Sequence, residues 1–165
     1  MPAKKVTDSE VVMAQQMLPQ DANPAGNVHG GVIMKLIDTA AGVTAIRHAG
    51  SLAVTASIDR LDFLQPVFVG DILFFKARLN LVGRTSMEVG VRVEAENPLT
   101  GEVRHTASAY LTFVALDRDH HPAQVPELIL ADAQDERRHQ EALARRKVRL
   151  SEKEQERRGQ AAAKV

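Results

Sequence analysis

The sequence predicts an α+β domain in which a five-stranded antiparallel sheet wraps one long helix. Three observations point there. Residues from Gly30 to about His48 carry apolar side chains at helical spacing. Residues from about Val54 to Leu116 alternate apolar and polar with period two, as strands with one buried face do. Turn formers cut that alternating region at Pro66, Gly70-Asp71, Gly83 and Asn97-Pro98.

The elements follow in order. Glu10–Leu18 reads as a first strand ended by Pro19, and the turn formers from Gln20 to Asn27 make a loop. The helix places Ile33, Leu36, Ile37, Ala40, Val43 and Thr44 on one face. Arg47 and His48 stand where cations suit the negative end of its dipole, and Gly50 is a fitting terminator. In the next strand Val54, Ala56 and Ile58 oppose Thr55, Ser57 and Asp59. Phe75, Ala77, Leu79 and Leu81 then oppose Lys76, Arg78 and Asn80, and Gly83-Arg84 turns the chain into Met87–Glu94. A last strand runs from Val103 to about Leu116, so the pattern is one strand, one buried helix and four strands in a meander. The strand edges and part of the helix are left uncovered, which predicts an oligomer.

Composition narrows the function. A chain of 165 residues suits one domain, and 44% hydrophobic with 25% charged residues excludes disorder and fibrous classes. With 21 basic and 21 acidic residues the chain lacks the positive footprint of a nucleic-acid binder. No cysteine excludes thiolate catalysis and Cys-based zinc, and no metal site is expected. Neither a signal core nor a membrane-length apolar run occurs, so a cytoplasmic location without membrane insertion is expected. From residue 131 onward ten Lys and Arg face seven Asp and Glu, with few large apolar residues. That tail reads as a solvated, fraying helix, or alternatively as a basic arm for an anionic partner. The division is residues 8–118 as the folded domain and 119–165 as linker and charged tail.

Chemistry concentrates between Asn23 and Gly42. Gly30-Gly31 at a loop-to-helix junction permits close approach of a ligand to the unsatisfied first N–H groups, or is simply a tight start to the helix. Asp38 lies two turns into an otherwise apolar helix with small neighbours Ala41 and Gly42. It is either a rim carboxylate paired with Lys35 or an acid that activates water against a carbonyl held at the glycines.

The run Asp21-Ala22-Asn23 through Gly26, His29-Gly30-Gly31 and Met34 to Asp38 resembles the acyl-CoA thioesterases of the hotdog fold. The similar subgroup holds the bacterial YciA-type enzymes and the animal cytosolic acyl-CoA hydrolases. Arg47-His48, Val54–Asp59, Phe63–Asp71, Gly83–Glu88 and Ala107–Phe113 fit as well, and the likeness spans roughly residues 8–118. The resemblance implies hydrolysis of acyl-CoA to fatty acid and CoA, with CoA part of the substrate and no cofactor or metal. It implies Asp38 as general base and Asn23 positioning water or thioester across a homodimer interface. Backbone donors near Gly30 and Gly31 would polarise the carbonyl, with Gly31 foremost. Trimers of such dimers, hexamers, are common in the family. The CoA half is expected on Gly83, Arg84, Thr85 and Ser86, with Thr55 and Ser57 on the pantetheine side. His29 reads as packing or capping. A non-hydrolytic acyl-CoA binder on the same fold is the alternative, against which the pairing of Asp38 with Asn23 argues. A hydratase or dehydratase would need a partner histidine that the chain does not offer.

Overall fold

The structure, a computed structural model, describes residues 1–162; the last three residues of the expected tail, 163–165, lie outside them. The chain runs β1 (Lys4–Lys5), β2 (Val11–Gln16), α1 (Gly30–Ala49), β3 (Leu52–Phe63), β4 (Ile72–Val82), β5 (Ser86–Glu96), β6 (Val103–Leu116), β7 (Leu128–Ile129) and α2 (Ala133–Ala162). Five strands form one antiparallel sheet in the order β2-β4-β5-β6-β3. Only β4, β5 and β6 form a meander. The expected four-strand meander fails at β3, which pairs with β6 at the far edge and not with its chain neighbour β4. The reason is the helix: α1 crosses the concave face and contacts every strand of the sheet, so the chain leaves it at the edge opposite β2.

The helix and sheet bury each other. Ile33, Ile37, Ala40, Ala41 and Ala45 meet Leu73, Phe75, Val89, Val93, Leu111 and Phe113 in one core. Small residues let the helix lie close; a Cβ on Gly42 would sit 3.6 Å from the Phe113 ring. Val43, expected on the buried face, is 43% exposed, together with Met34 and Ile46. The covered stripe runs through Ile33, Ile37 and the alanines at 40, 41 and 45, and Met34, Val43 and Ile46 face outward.

Gly50 ends α1 with φ +68°, a left-handed conformation that glycine adopts without a Cβ penalty. The expected cationic role of His48 is not met. Its ring is fully buried with Nε2 2.9 Å from the Pro126 carbonyl oxygen, and burial holds its pKa below the ordinary value. Lys4 supplies the cation instead, its Nζ donating to the carbonyls of Arg47 at 2.9 Å and His48 at 2.7 Å. The parallel pairing of β1 with β7 brings it there.

The tail is helical as expected, but one face of its first half is docked and not solvated. Asp132 caps α2, its Oδ1 accepting from the N–H groups of Gln134 and Asp135 at 2.8 Å each. The helix then lies on the outer sheet face, opposite α1. Arg78 pairs with buried Asp135 at 2.5 Å, Arg145 with buried Glu88 at 2.7 Å, and Arg149 with Asp59. Ala142 is fully buried, whereas Leu143, Val148 and Leu150 are exposed. The docking stripe is polar at positions 135, 138, 139, 145 and 149, with Ala142 among them, and an apolar pattern would not reveal it.

Candidate active site

Asp38 projects from the third turn of α1 toward β3, where the Thr55 hydroxyl donates to its Oδ1 at 2.6 Å. The rim pairing with Lys35 is not formed, and among the described residues no ion pair involves Asp38. β3 is the edge strand, so the Asp38–Thr55 pair stands at the open side of the protomer. Val54 and Ile58 beside it are 47% and 42% exposed. The alternation expected for β3, with Val54, Ala56 and Ile58 on one face, does not hold: Ile58 pairs with core Leu111, whereas Val54 pairs with Val114 on the other face.

The cause is a break in register. Thr55 is opposite Phe113, but Ser57 is opposite Thr112, so a bulge at Ala56 sends Thr55 and Ser57 to opposite faces. Thr55 faces α1. The Ser57 hydroxyl donates to Asp59 on the outer face, at 2.5 Å, and Asp59 also takes the Thr112 hydroxyl at 2.7 Å and the Arg149 guanidinium. Ser57 therefore does not join Thr55 beside Asp38.

Asn23 is held by the loop before α1. Its Oδ1 accepts from Ala25 N–H at 2.9 Å and Asn27 N–H at 3.3 Å, which leaves the side-chain NH2 to donate elsewhere. Asn23 lines a cavity of about 360 Å³ with Gly30, Ile33, Phe63, Gln65 and Pro66. At the helix start His29 acts as the cap expected of it, its Nδ1 accepting from Gly31 N–H at 2.9 Å. That bond occupies the donor expected to be foremost. Gly30 N–H has no hydrogen-bond partner among the described residues, and a Cβ there would meet the Phe63 ring at 3.2 Å.

Eight residues of helix separate Gly30 from Asp38, a rise of about 12 Å. Hydrogen-bond contact with one carbonyl needs donor and base each within about 3 Å of the reacting atoms. One protomer thus holds the carboxylate and the donors too far apart to serve the same bond.

Gly83–Ser86 joins β4 to β5. Gly83 N–H donates to the Ser86 carbonyl at 2.7 Å, while the carbonyls of Arg84 and Thr85 accept from Val125 and Ala115. Arg84 is exposed and carries none of the ion pairs seen among the described residues. Met87, Phe113 and Thr55 form one row across the sheet, so the turn sits at the same sheet end as the Asp38–Thr55 pair, two strands away. Among the described residues no group of three or more His, Asp or Glu could hold a metal, and no helix is long and apolar enough to cross a membrane.

Residues 25–102 match the thioesterase superfamily. The chain is 36% identical over 146 residues to an uncharacterized acyl-CoA thioester hydrolase, YkhA, of Bacillus subtilis (strain 168), covering 88% of this chain and 85% of that one. Its fold is similar to that of an acyl-CoA hydrolase from Staphylococcus aureus, solved in complex with butyryl coenzyme A, coenzyme A and coenzyme A disulfide. The TM-score is 0.89 at 35% identity, over 96% of each chain. Forms of that enzyme with alanine in place of an aspartate, an asparagine or a threonine are similar as well. An apo-hexameric acyl-CoA thioesterase matches with TM-score 0.89 and 38% identity, over 92% of this chain and 97% of that one.

Proposed function

The chain belongs to the thioesterase superfamily as an acyl-CoA thioester hydrolase, and from that premise we propose that Asp38 is the general base of its reaction. The carboxylate takes a proton from water, whose oxygen attacks the thioester carbonyl carbon. The carbonyl oxygen gains the negative charge, and collapse of the tetrahedral intermediate expels CoA as its thiolate and leaves the free acid. The observation that carries this reading is the hydrogen bond of Asp38 to Thr55 at an open sheet edge. Thr55 orients the carboxylate and leaves its other oxygen toward the opening.

The oxyanion donors and Asn23 come from a second copy of the chain. The 12 Å rise between Gly30 and Asp38 supports this, as do the unpaired edge of β3 and the exposed Met34, Val43, Ile46, Val54 and Ile58 around it. Pairing of two β3 edges into a continuous sheet covers those residues, and three such dimers make the hexamer. Gly30 N–H is the ready donor; Gly31 joins it when His29 turns aside. Arg84 and the hydroxyls of Thr85 and Ser86 receive the nucleotide phosphates of CoA beside Gly83. The reaction needs no cofactor and takes place in the cytoplasm, and residues 8–118 carry it.

Thiol release from a panel of acyl-CoAs tests the base. Asp38→Asn should lower kcat by about 10²–10⁴-fold, the usual worth of general-base catalysis. Turnover within threefold of wild type in that variant would remove Asp38 from the reaction. The shared site is tested by mixing inactive Asp38→Asn with inactive Asn23→Ala after dissociation and reassembly. A mixed dimer contains one intact site, so activity should return; mixtures that stay dead put both residues in one protomer's site.

A further inference from the structure

The outer face of the sheet, opposite α1, carries cations in register. Lys76 of β4 lies directly across from Arg92 of β5, and in the next row Arg78 lies across from Gly90. Like charges directly opposed destabilise a sheet. Gly90 leaves the middle of its row without a side chain, and α2 arches over the gap with Arg137, Arg138 and Arg145. The result is a cavity of about 190 Å³ whose walls carry six cationic side chains and one carboxylate, Glu141.

The neighbouring carboxylates do not use up these donors. Lys76 and Arg92 share Glu94, an arrangement of partly exposed pairs worth little. Arg137 pairs with Glu141, and Arg145 is turned to Glu88 and the Tyr110 ring. Arg78 reaches Asp135, yet its buried Nε makes no hydrogen bond among the described residues, lying 3.2 Å from Glu10. Among the described residues Arg138 hydrogen-bonds only to the Gln134 amide oxygen, at 3.0 Å. Burial first, then the charges of Arg78 and Arg137, hold its pKa below the ordinary guanidinium value. Two guanidiniums, Arg78 and Arg138, thus stand together with N–H groups unspent, at a cost that a bound anion would offset.

We propose that this cavity is a binding site for a phosphoanion carrying two or more negative charges, with Arg138 and Arg78 as its principal donors and Arg92 and Lys76 closing it from the sheet. Donors converge from β4, β5 and α2, three directions that match tetrahedral phosphate oxygens better than the two coplanar oxygens of a carboxylate. The volume admits a phosphate or diphosphate group and leaves any attached nucleoside outside. The site lies on the sheet face opposite Asp38, so it is separate from the carboxylate that performs hydrolysis. Its occupant is either a free inorganic phosphoanion or the phosphate end of a larger molecule such as a second CoA, separate from the substrate held at Gly83–Ser86.

Calorimetric titration of the full chain with inorganic pyrophosphate at low salt tests the proposal without any turnover. Binding should saturate at one pyrophosphate per protomer and weaken as salt rises. Arg138→Met should weaken it at least tenfold, with an unchanged far-UV spectrum as the control that the variant is folded. Arg92→Gln, on a different element, should weaken it as well. A competing titration with CoA separates the two sources. Competition identifies the phosphate end of CoA as the occupant, and its absence identifies the free anion. No saturable binding at millimolar pyrophosphate, or binding unchanged in both variants, would overturn the proposal.

Discussion

Replacing Arg145 by methionine should unfold the protein more readily than any comparable surface change. Glu88 keeps 3% of its side-chain surface accessible, and Arg145 keeps 21%. Arg145 supplies three of the contacts to the carboxylate, one at 2.7 Å and two at 3.3 Å. After the substitution Glu88 retains only Asn80 Nδ2 at 3.2 Å. Removing one partner of a buried ion pair costs about 3–5 kcal/mol, because the remaining charge is stranded. Access of water on the Arg145 side places this pair near 3 kcal/mol. Loss of the guanidinium from the Tyr110 face, where it sits 3.7 Å from the ring centroid, adds about 1 kcal/mol. A total near 4 kcal/mol corresponds to a fall of roughly 10 °C in Tm for a chain of this size. Urea unfolding at fixed protomer concentration measures it, since assembly makes stability depend on concentration. The companion variant Glu88→Leu with Arg145→Met removes the stranded charge and should recover to within about 1 kcal/mol of wild type. A single variant that loses less than 1 kcal/mol, or a double variant as unstable as the single, would refute the stranded-charge argument.

Two further outcomes follow from buried groups. Burial keeps His48 neutral in the folded protein, so below about pH 6.5 the unfolded chain binds a proton there that the folded one does not. Stability should be full above that pH and fall as pH drops toward 5, by up to about 1.4 kcal/mol per pH unit; His48→Gln should flatten that part of a Tm-versus-pH curve, and an unchanged slope would count against it. Gly90→Ala would place a Cβ 2.6 Å from Asn80 Nδ2, which is also the donor to Glu88. Overpacking of this kind costs about 1–3 kcal/mol, and a Tm equal to wild type would show that Asn80 has room to move.

The helix and the strands β4, β5 and β6 were legible because periodicity follows burial, and each of these segments has buried residues; the edge strands β2 and β3 were marked by apolar residues between turn formers. The loop Asn23–Gly31 and Asp38 were legible through residue type at a junction and on an apolar helix. What periodicity does not encode is which strand sits beside which; the route of α1 across the sheet sends β3 to the far edge. Nor does it register the bulge at Ala56, which has no glycine or proline to mark it. That one extra residue separates Thr55 from Ser57, two residues that strict alternation places together. The docking of α2 escaped for another reason. Its contact stripe is made of Arg145 and Arg149 meeting buried Glu88 and Asp59, with Asp135 meeting Arg78 of β4, and a search for apolar stripes passes over it.

The polar character of that docking has a consequence for biosynthesis. Helix α2 follows the last sheet strand in the chain, so a ribosome releases β6 before the helix exists. At about 5–20 residues per second, the thirty residues of α2 take on the order of seconds to appear. During that interval the outer sheet face waits uncovered, and it presents Glu88, Asn80, Thr112, Arg78 and Asp59 to water. A face built of leucines would offer a nascent chain something to aggregate through. This one stays wetted until its arginines arrive, so the helix is added to a sheet that is already tolerable in solution.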